Sequence, residues 1–206
     1  MLELGQVVLG VRDLEAATRR MEAEGFAVQD GGVHPGLGTA NRIIPLGGQY
    51  LELLGVEDES LASSNWYGRA LLDRIADGDR LVRWSLRTDR IDEIAGPLRL
   101  IPERRSRLRP DGRPLHWRAA GLQAAAEHGW LPFFMQWDDP ADFPGALPAR
   151  HPNGARAVVW LELSTPDPER LHRWLSGGEA PVRLAEGAPG LRRVGVATRE
   201  GEFVLG

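Results

Sequence analysis

Three times along this chain an alternating apolar run leads into a helical pattern and then into further short alternating runs. The first cycle is the best defined. Val7, Leu9 and Val11 alternate with Gln6, Val8 and Gly10, the two-residue period of a strand whose faces meet different surroundings. Asp13 follows as an N-cap, Leu14, Ala17 and Met21 recur at helical spacing, Glu15 sits in the first turn, and Gly25 marks the stop. Residues 42–46 and 50–54 then read as strands joined by Gly47-Gly48, a hairpin signal. The second cycle opens with the strand LVRWSLR from Leu81. It continues with a short helix over 91–95 cut by Gly96-Pro97 and strand-like runs over 98–108, 114–120 and 131–137. The third runs from VVWLELS into a helix with Pro168 near its start, Leu171, Trp174 and Leu175 on one face and Gly177 as its stop. Strand-like runs over 181–184, 191–197 and 202–205 complete it. Each cycle reads βαβββ, an internal repeat of pattern rather than identity.

The domain plan that follows is a first module over 1–58, a connecting segment over 59–80, a second module over 81–155 and a shorter third over 156–206, in one compact unit. The connection carries an amphipathic helix over 63–76 with Trp66, Leu71, Leu72 and Ile75 apolar. Residues 138–156, rich in proline and glycine, read as a long surface connection and a candidate lid, with His151 near its end.

The densest functional signal lies in residues 31–54, GGVHPGLGTANRIIPLGGQYLELL. Gly31, Gly32, Gly36 and Gly38 permit positive φ and close backbone approach, so residues 34–41 read as a shaped loop. In the strand over 50–54, Tyr50, Glu52 and Leu54 share one face and Leu51 and Leu53 the other, so one face carries a phenol and a carboxylate and the other is oily. A carboxylate turned away from water must pair with a cation, hold a metal or shift its pKa. Glu52 is therefore read as a base beside a carbonyl, as a divalent-metal ligand, or as the partner of an arginine such as Arg83. His34 is a candidate acid, base or ligand contact near neutral pH, with a loop-stabilising hydrogen bond as its structural alternative.

These residues, with those over 4–26, resemble the glyoxalase-like domain proteins of the vicinal oxygen chelate superfamily. The segments LGQVVLGVRDLEAA, HPGLGTANR and GQYLELL carry the resemblance, mostly within the first 55 residues or so. It implies an α+β fold of repeated βαβββ modules whose curved mixed sheets form a cup, with helices on the outer faces and metal ligands on the first and last strands of a module. Those positions here are Gln6 and Glu52. That branch usually begins with Asp-His where this chain has Gly5-Gln6, and glutamine is a ligand in some glyoxalases. The resemblance further implies that His34, Thr39 and Asn41 border the cleft. Aligning Leu14 with Ile91 sets Arg83, which has no lone pair to give, against Gln6, and Gln136 or Met135 against Glu52. In the third module Trp160 and Leu205 take these places, which marks it as structural.

The expected function is binding of a small, partly apolar organic molecule in a sheet-lined pocket without a full metal site; the alternative is a lyase or isomerase acting next to a carbonyl. Glu52 and His34 are the catalytic candidates, and Gln6, Thr39, Asn41, Tyr50, Trp137 and His151 the ligand-lining ones. The cofactor expected is none or a divalent metal ion held by Gln6 and Glu52, since no His-x-His or His-x-x-x-His spacing occurs.

Composition removes other classes. The chain has no cysteine, and all 25 of its Lys+Arg residues are arginine, so thiolate and lysine Schiff-base chemistry are closed. No phosphate-binding or dinucleotide glycine motif and no Gly-x-Ser-x-Gly elbow is present. A net charge of -4 argues against nucleic acid as the partner. No apolar run approaches the roughly 20 residues that span a bilayer. The expectation is a cytoplasmic protein with a small-molecule ligand, no nucleic acid or membrane partner, and a second copy of the chain as a candidate partner.

Overall fold

The computed structural model describes residues 2–175, 178 and 180–206. The first cycle forms β1 (Glu3–Gly10), α1 (Leu14–Ala23), β2 (Gln29–His34), β3 (Thr39–Pro45) and β4 (Tyr50–Val56). The second forms β5 (Arg80–Arg87), α4 (Ile91–Ala95), β6 (Glu103–Leu108), β7 (Pro114–Ala120), α5 (Leu122–His128) and β8 (Phe133–Trp137). Their strands close into one mixed barrel in the order β1-β4-β3-β2-β6-β7-β8-β5. The first two cycles therefore share the cup. The third, β9 (Ala157–Ser164), α6 (Pro168–Leu175), β10 (Val182–Leu184), β11 (Gly190–Ala197) and β12 (Glu202–Leu205), makes a separate four-stranded sheet ordered β10-β9-β11-β12.

Alternation in β1 and β4 decides what lies inside the barrel. Val7, Leu9, Leu51 and Leu53 turn outward into the main core with Ala17 and Met21 of α1. Gln6, Tyr50 and Glu52 turn inward. Asp13 begins α1 by accepting from the Ala16 N–H at 2.9 Å, and Glu15 lies in its first turn. The third sheet adds Leu161, Leu163, Val194 and Val196 to the same core as Trp84, Leu86 and Phe134 of the barrel wall. Each such side chain contributes about 1.5–3 kcal/mol when fully buried.

The connection is two helices rather than one: α2 (Glu59–Ser64) and α3 (Trp66–Ile75). The break falls at Asn65, whose backbone is extended (φ -131°, ψ 158°) and whose side chain accepts from the Gly68 N–H at 2.9 Å. Gly68 lets the helices touch, since a Cβ there would stand 2.4 Å from Ala62. Tyr67, Leu71 and Ile75 of α3 meet Val8, Leu54 and Val82, closing one end of the barrel.

Three further expectations are corrected. Within residues 34–41 the loop is confined to 35–38, a tight turn in which Gly36 and Gly38 take φ of 74° and 68°, while His34 ends β2 and residues 39–41 open β3. The run over 98–108 becomes a strand only from Glu103. α5 was not foreseen at all. Gly177, the expected stop of α6, lies outside the described residues.

Candidate functional site

Three side chains of the first module and one of the second gather around one carboxylate. Glu52 is 5% exposed. Its Oε2 accepts from Gln6 Nε2 at 2.7 Å and its Oε1 from Asn41 Nδ2 at 2.6 Å. Each amide is itself held from behind: the Tyr50 hydroxyl donates to Gln6 Oε1, and Arg107 Nη1 donates to Asn41 Oδ1 at 2.9 Å. The second contact needs Gly31, because a Cβ there would sit 2.0 Å from Asn41 Oδ1 and 2.6 Å from Arg107 Nη1. The outcome is a fixed acceptor with both oxygens held by amides rather than by an arginine.

Across the barrel the wall changes character. β4 stands opposite β7 in the strand order, and the second module lines the hollow with Trp117, Phe133, Met135 and Trp137. The Trp117 and Trp137 rings lie 5.1 Å apart at 35°. Phe143 and Pro144 of the proline-rich connection reach this end: Phe143 packs edge-on to Tyr50 at 5.7 Å, and Pro144 lines the hollow. The enclosed part of the hollow is about 50 Å³, and the space including its open mouth is about 570 Å³.

Electrostatics follow from depth. Burial pushes the Glu52 carboxyl up, while Asn41, Arg83, Arg107 and Gln6 pull it back. Burial drives His34 down to about 3, helped by the positive charges of Arg107 and Arg83, so this imidazole is neutral at physiological pH. Burial also raises both Tyr50 and Tyr67, which keeps the two phenols protonated.

The structure brings Gln6, His34, Asn41, Tyr50, Glu52 and Trp137 to the lining of one hollow. Thr39 is fully buried one layer back, where its hydroxyl shares a 3.0 Å hydrogen bond with His34 Nδ1. His151 is placed elsewhere. Its Nδ1 accepts from the Ala27 N–H at 2.9 Å and its Nε2 donates to the Pro45 carbonyl at 2.6 Å, so it pins the connection to the outside of the first module. Arg83 does not pair with Glu52; its guanidinium lies 4.4 Å over the Tyr67 ring. Gln136 turns away from the hollow to accept from the Ile91 N–H at 3.1 Å, leaving Met135 facing in. In the ladders, Ser85 stands to Phe133 and Met135 as Gln6 stands to Tyr50 and Glu52, so Ser85 rather than Arg83 matches Gln6. Trp160 and Leu205 lie in the third sheet, away from the hollow.

Sequence reasoning passed over Arg105, Arg107 and Tyr67. The run ERRSRL held a signal: Arg105 and Arg107 are two apart on a strand, hence on one face of a barrel whose other half presents an inward acid.

The glyoxalase-like domain family matches residues 7–182, so the chain belongs to that family. The fold is that of the vicinal oxygen chelate superfamily. A hypothetical protein from Staphylococcus aureus is similar at 12% identity over 99% of this chain and 84% of that one, with a TM-score of 0.66. The Mn(II)-bound glyoxalase from Novosphingobium aromaticivorans is similar at 11% identity over 98% of this chain and 80% of that one, with a TM-score of 0.51. No curated protein matches. Among the described residues, no helix is long and apolar enough to cross a membrane, and no three His, Cys, Asp or Glu side chains converge as a metal-holding group.

Proposed function

We propose that this chain binds a small, partly apolar organic molecule inside the barrel, with Glu52 as the fixed polar anchor and Trp117, Phe133, Met135 and Trp137 as the apolar wall. One observation carries the reading: a buried carboxylate whose two oxygens are held by amides faces an aromatic wall across a hollow. A divalent ion fits this donor set poorly. Gln6 Oε1 already accepts from Tyr50, the matching positions of the second module hold Ser85 and Met135, and Arg83 and Arg107 add positive charge beside Glu52. The test is native mass spectrometry and metal analysis of the purified protein. A co-purified organic molecule lost in Glu52→Ala supports the reading. Stoichiometric divalent metal that disappears in Glu52→Ala overturns its metal-free part.

The raised pKa of Glu52 favours a second reading, in which this carboxylate removes a proton next to a carbonyl, as in a lyase or isomerase. Here the neutral His34 serves as a hydrogen-bonding partner of the guest rather than as a cation. Solvent deuterium exchange into bound carbonyl compounds checks it. Exchange that persists undiminished in Glu52→Gln would rule it out.

A further inference from the structure

The interior of the barrel is one anion short. Arg83 is 3% exposed and Arg107 5%. A guanidinium stays protonated in a protein. Among the described residues neither forms an ion pair: Arg83 lies on the Tyr67 ring, and Arg107 donates to the neutral Asn41 amide. Glu52 supplies at most one negative charge, and the interior phenols and imidazole supply none. Even with Glu52 fully ionised, one buried positive charge has no counter-charge. Burying an unpaired charge is costly enough that proteins ordinarily supply a partner.

The donors tell the same story. Among the described residues, five buried side-chain nitrogen and oxygen atoms have no hydrogen-bond partner, and three of them are Arg83 Nη1, Arg105 Nε and Trp137 Nε1. Arg105 and Trp137 line the hollow. They also stand in one row across the sheet, because Arg105 pairs with Trp117 and Trp117 with Trp137. An N–H donor thus sits at each end of a flat indole surface, with the charge of Arg107 two residues further along β6. Four of the five idle atoms are N–H donors and the fifth, Ser85 Oγ, can donate or accept, while the excess charge is positive.

We propose that the ligand is a small organic anion with a flat unsaturated or aromatic body, its carboxylate received by Arg105 in the field of Arg107 and Arg83, and its body lying along Trp117 with a second acceptor atom at Trp137 Nε1. This deepens the reading that the hollow is a small-molecule site and rests on it. Arg105 also forms an ion pair with Glu103 at the rim through Nη2, which leaves its Nε as the idle donor, and its side chain is 22% exposed. It is therefore the arginine of the three that can be changed with least disturbance to the fold.

The experiment compares matched pairs by calorimetry and tryptophan fluorescence at fixed ionic strength: benzoate against benzamide, and cinnamate against cinnamamide. The carboxylates are expected to bind at least tenfold more tightly than their amides. Arg105→Gln should cut carboxylate affinity about tenfold while leaving amide affinity in place, and Trp137→Phe should weaken guests with a second acceptor. Equal affinity for acid and amide overturns the inference while the small-molecule reading stands. So does a carboxylate preference that survives both Arg105→Gln and Arg107→Met. Failure of every compound to bind the wild-type protein overturns both. Should Arg107→Met not fold, the wild-type pairs and Arg105→Gln still decide.

Discussion

Glu52 and His34 lie at almost the same depth, yet burial moves them in opposite directions, because it penalises the charged form and one is charged when it loses a proton, the other when it gains one. For His34 the folded pKa, about 3, lies below the ordinary imidazole value of 6.5. The unfolded chain then binds the extra proton between those values, so this residue's contribution is present above pH 6.5 and is lost as pH falls toward 3. One proton corresponds to a slope of about 1.4 kcal/mol per pH unit. Glu52 works the other way: raised above 4.5, it contributes below that pH and the contribution is lost as pH rises through its folded value. Urea unfolding of His34→Gln should thus show a slope of stability against pH that is lower in sign than the wild type's between pH 4.5 and 6.5, tilting toward a loss of stability as pH rises, because only the opposing Glu52 contribution is left. Glu52→Gln, with the opposing slope removed, should show a steeper one. An unchanged slope in both variants would mean that neither group is shifted. The inward direction of Tyr50 and Glu52 was legible because a strand allows only two faces. Arg107 was not, because its partner Asn41 lies 66 residues away and only barrel closure brings them together.

Among the elements, the seam between β2 and β6 is where the modules close on the side away from β1 and β5, and Val33 opposite Leu108 is its ladder pair. Gly32 makes that closure possible. It has φ of 142°, and a Cβ would fall 1.8 Å from the Leu108 carbonyl oxygen. Gly32→Ala should cost about 3 kcal/mol or more, as forced overpacking does at its upper end. Gly36→Ala, at φ 74° with nothing within 4 Å of the added methyl, should cost only the left-handed backbone penalty of about 1–2 kcal/mol. Chemical denaturation of the pair checks the contrast; similar losses would place the seam elsewhere. The helices were legible where a start signal preceded an apolar stripe, as at Asp13 and at Pro168, and in the structure the side chain of Asp167 just before Pro168 accepts from the Arg170 N–H at 2.8 Å. α5 offered neither signal. It starts after Gly121 with no side-chain cap and carries three alanines, so its helicity follows from packing beside α3 and β8 more than from its own pattern.

In the whole molecule, the barrel and the third sheet draw on one core. Trp84 and Phe134 of the wall share it with Leu161, Val194 and Trp174. We therefore expect the chain to unfold as one cooperative unit. Far-UV circular dichroism and tryptophan fluorescence should report coincident denaturant midpoints, and two separated transitions would make the third cycle an independent domain. The threefold repeat was legible in the sequence because each cycle carries its own periodicity; which two cycles close on each other was not, since that choice depends on pairings such as β1 with β5, about 77 residues apart along the chain. The closure joins a polar half to an aromatic half and makes the cavity lopsided. A planar guest laid along the indoles with its carboxylate at one end and a second acceptor at the other would be fixed in direction as well as in plane. It would therefore show one of its two prochiral faces to the acid, any reaction there would favour a single enantiomer, and simple occupancy would discriminate between mirror-image guests.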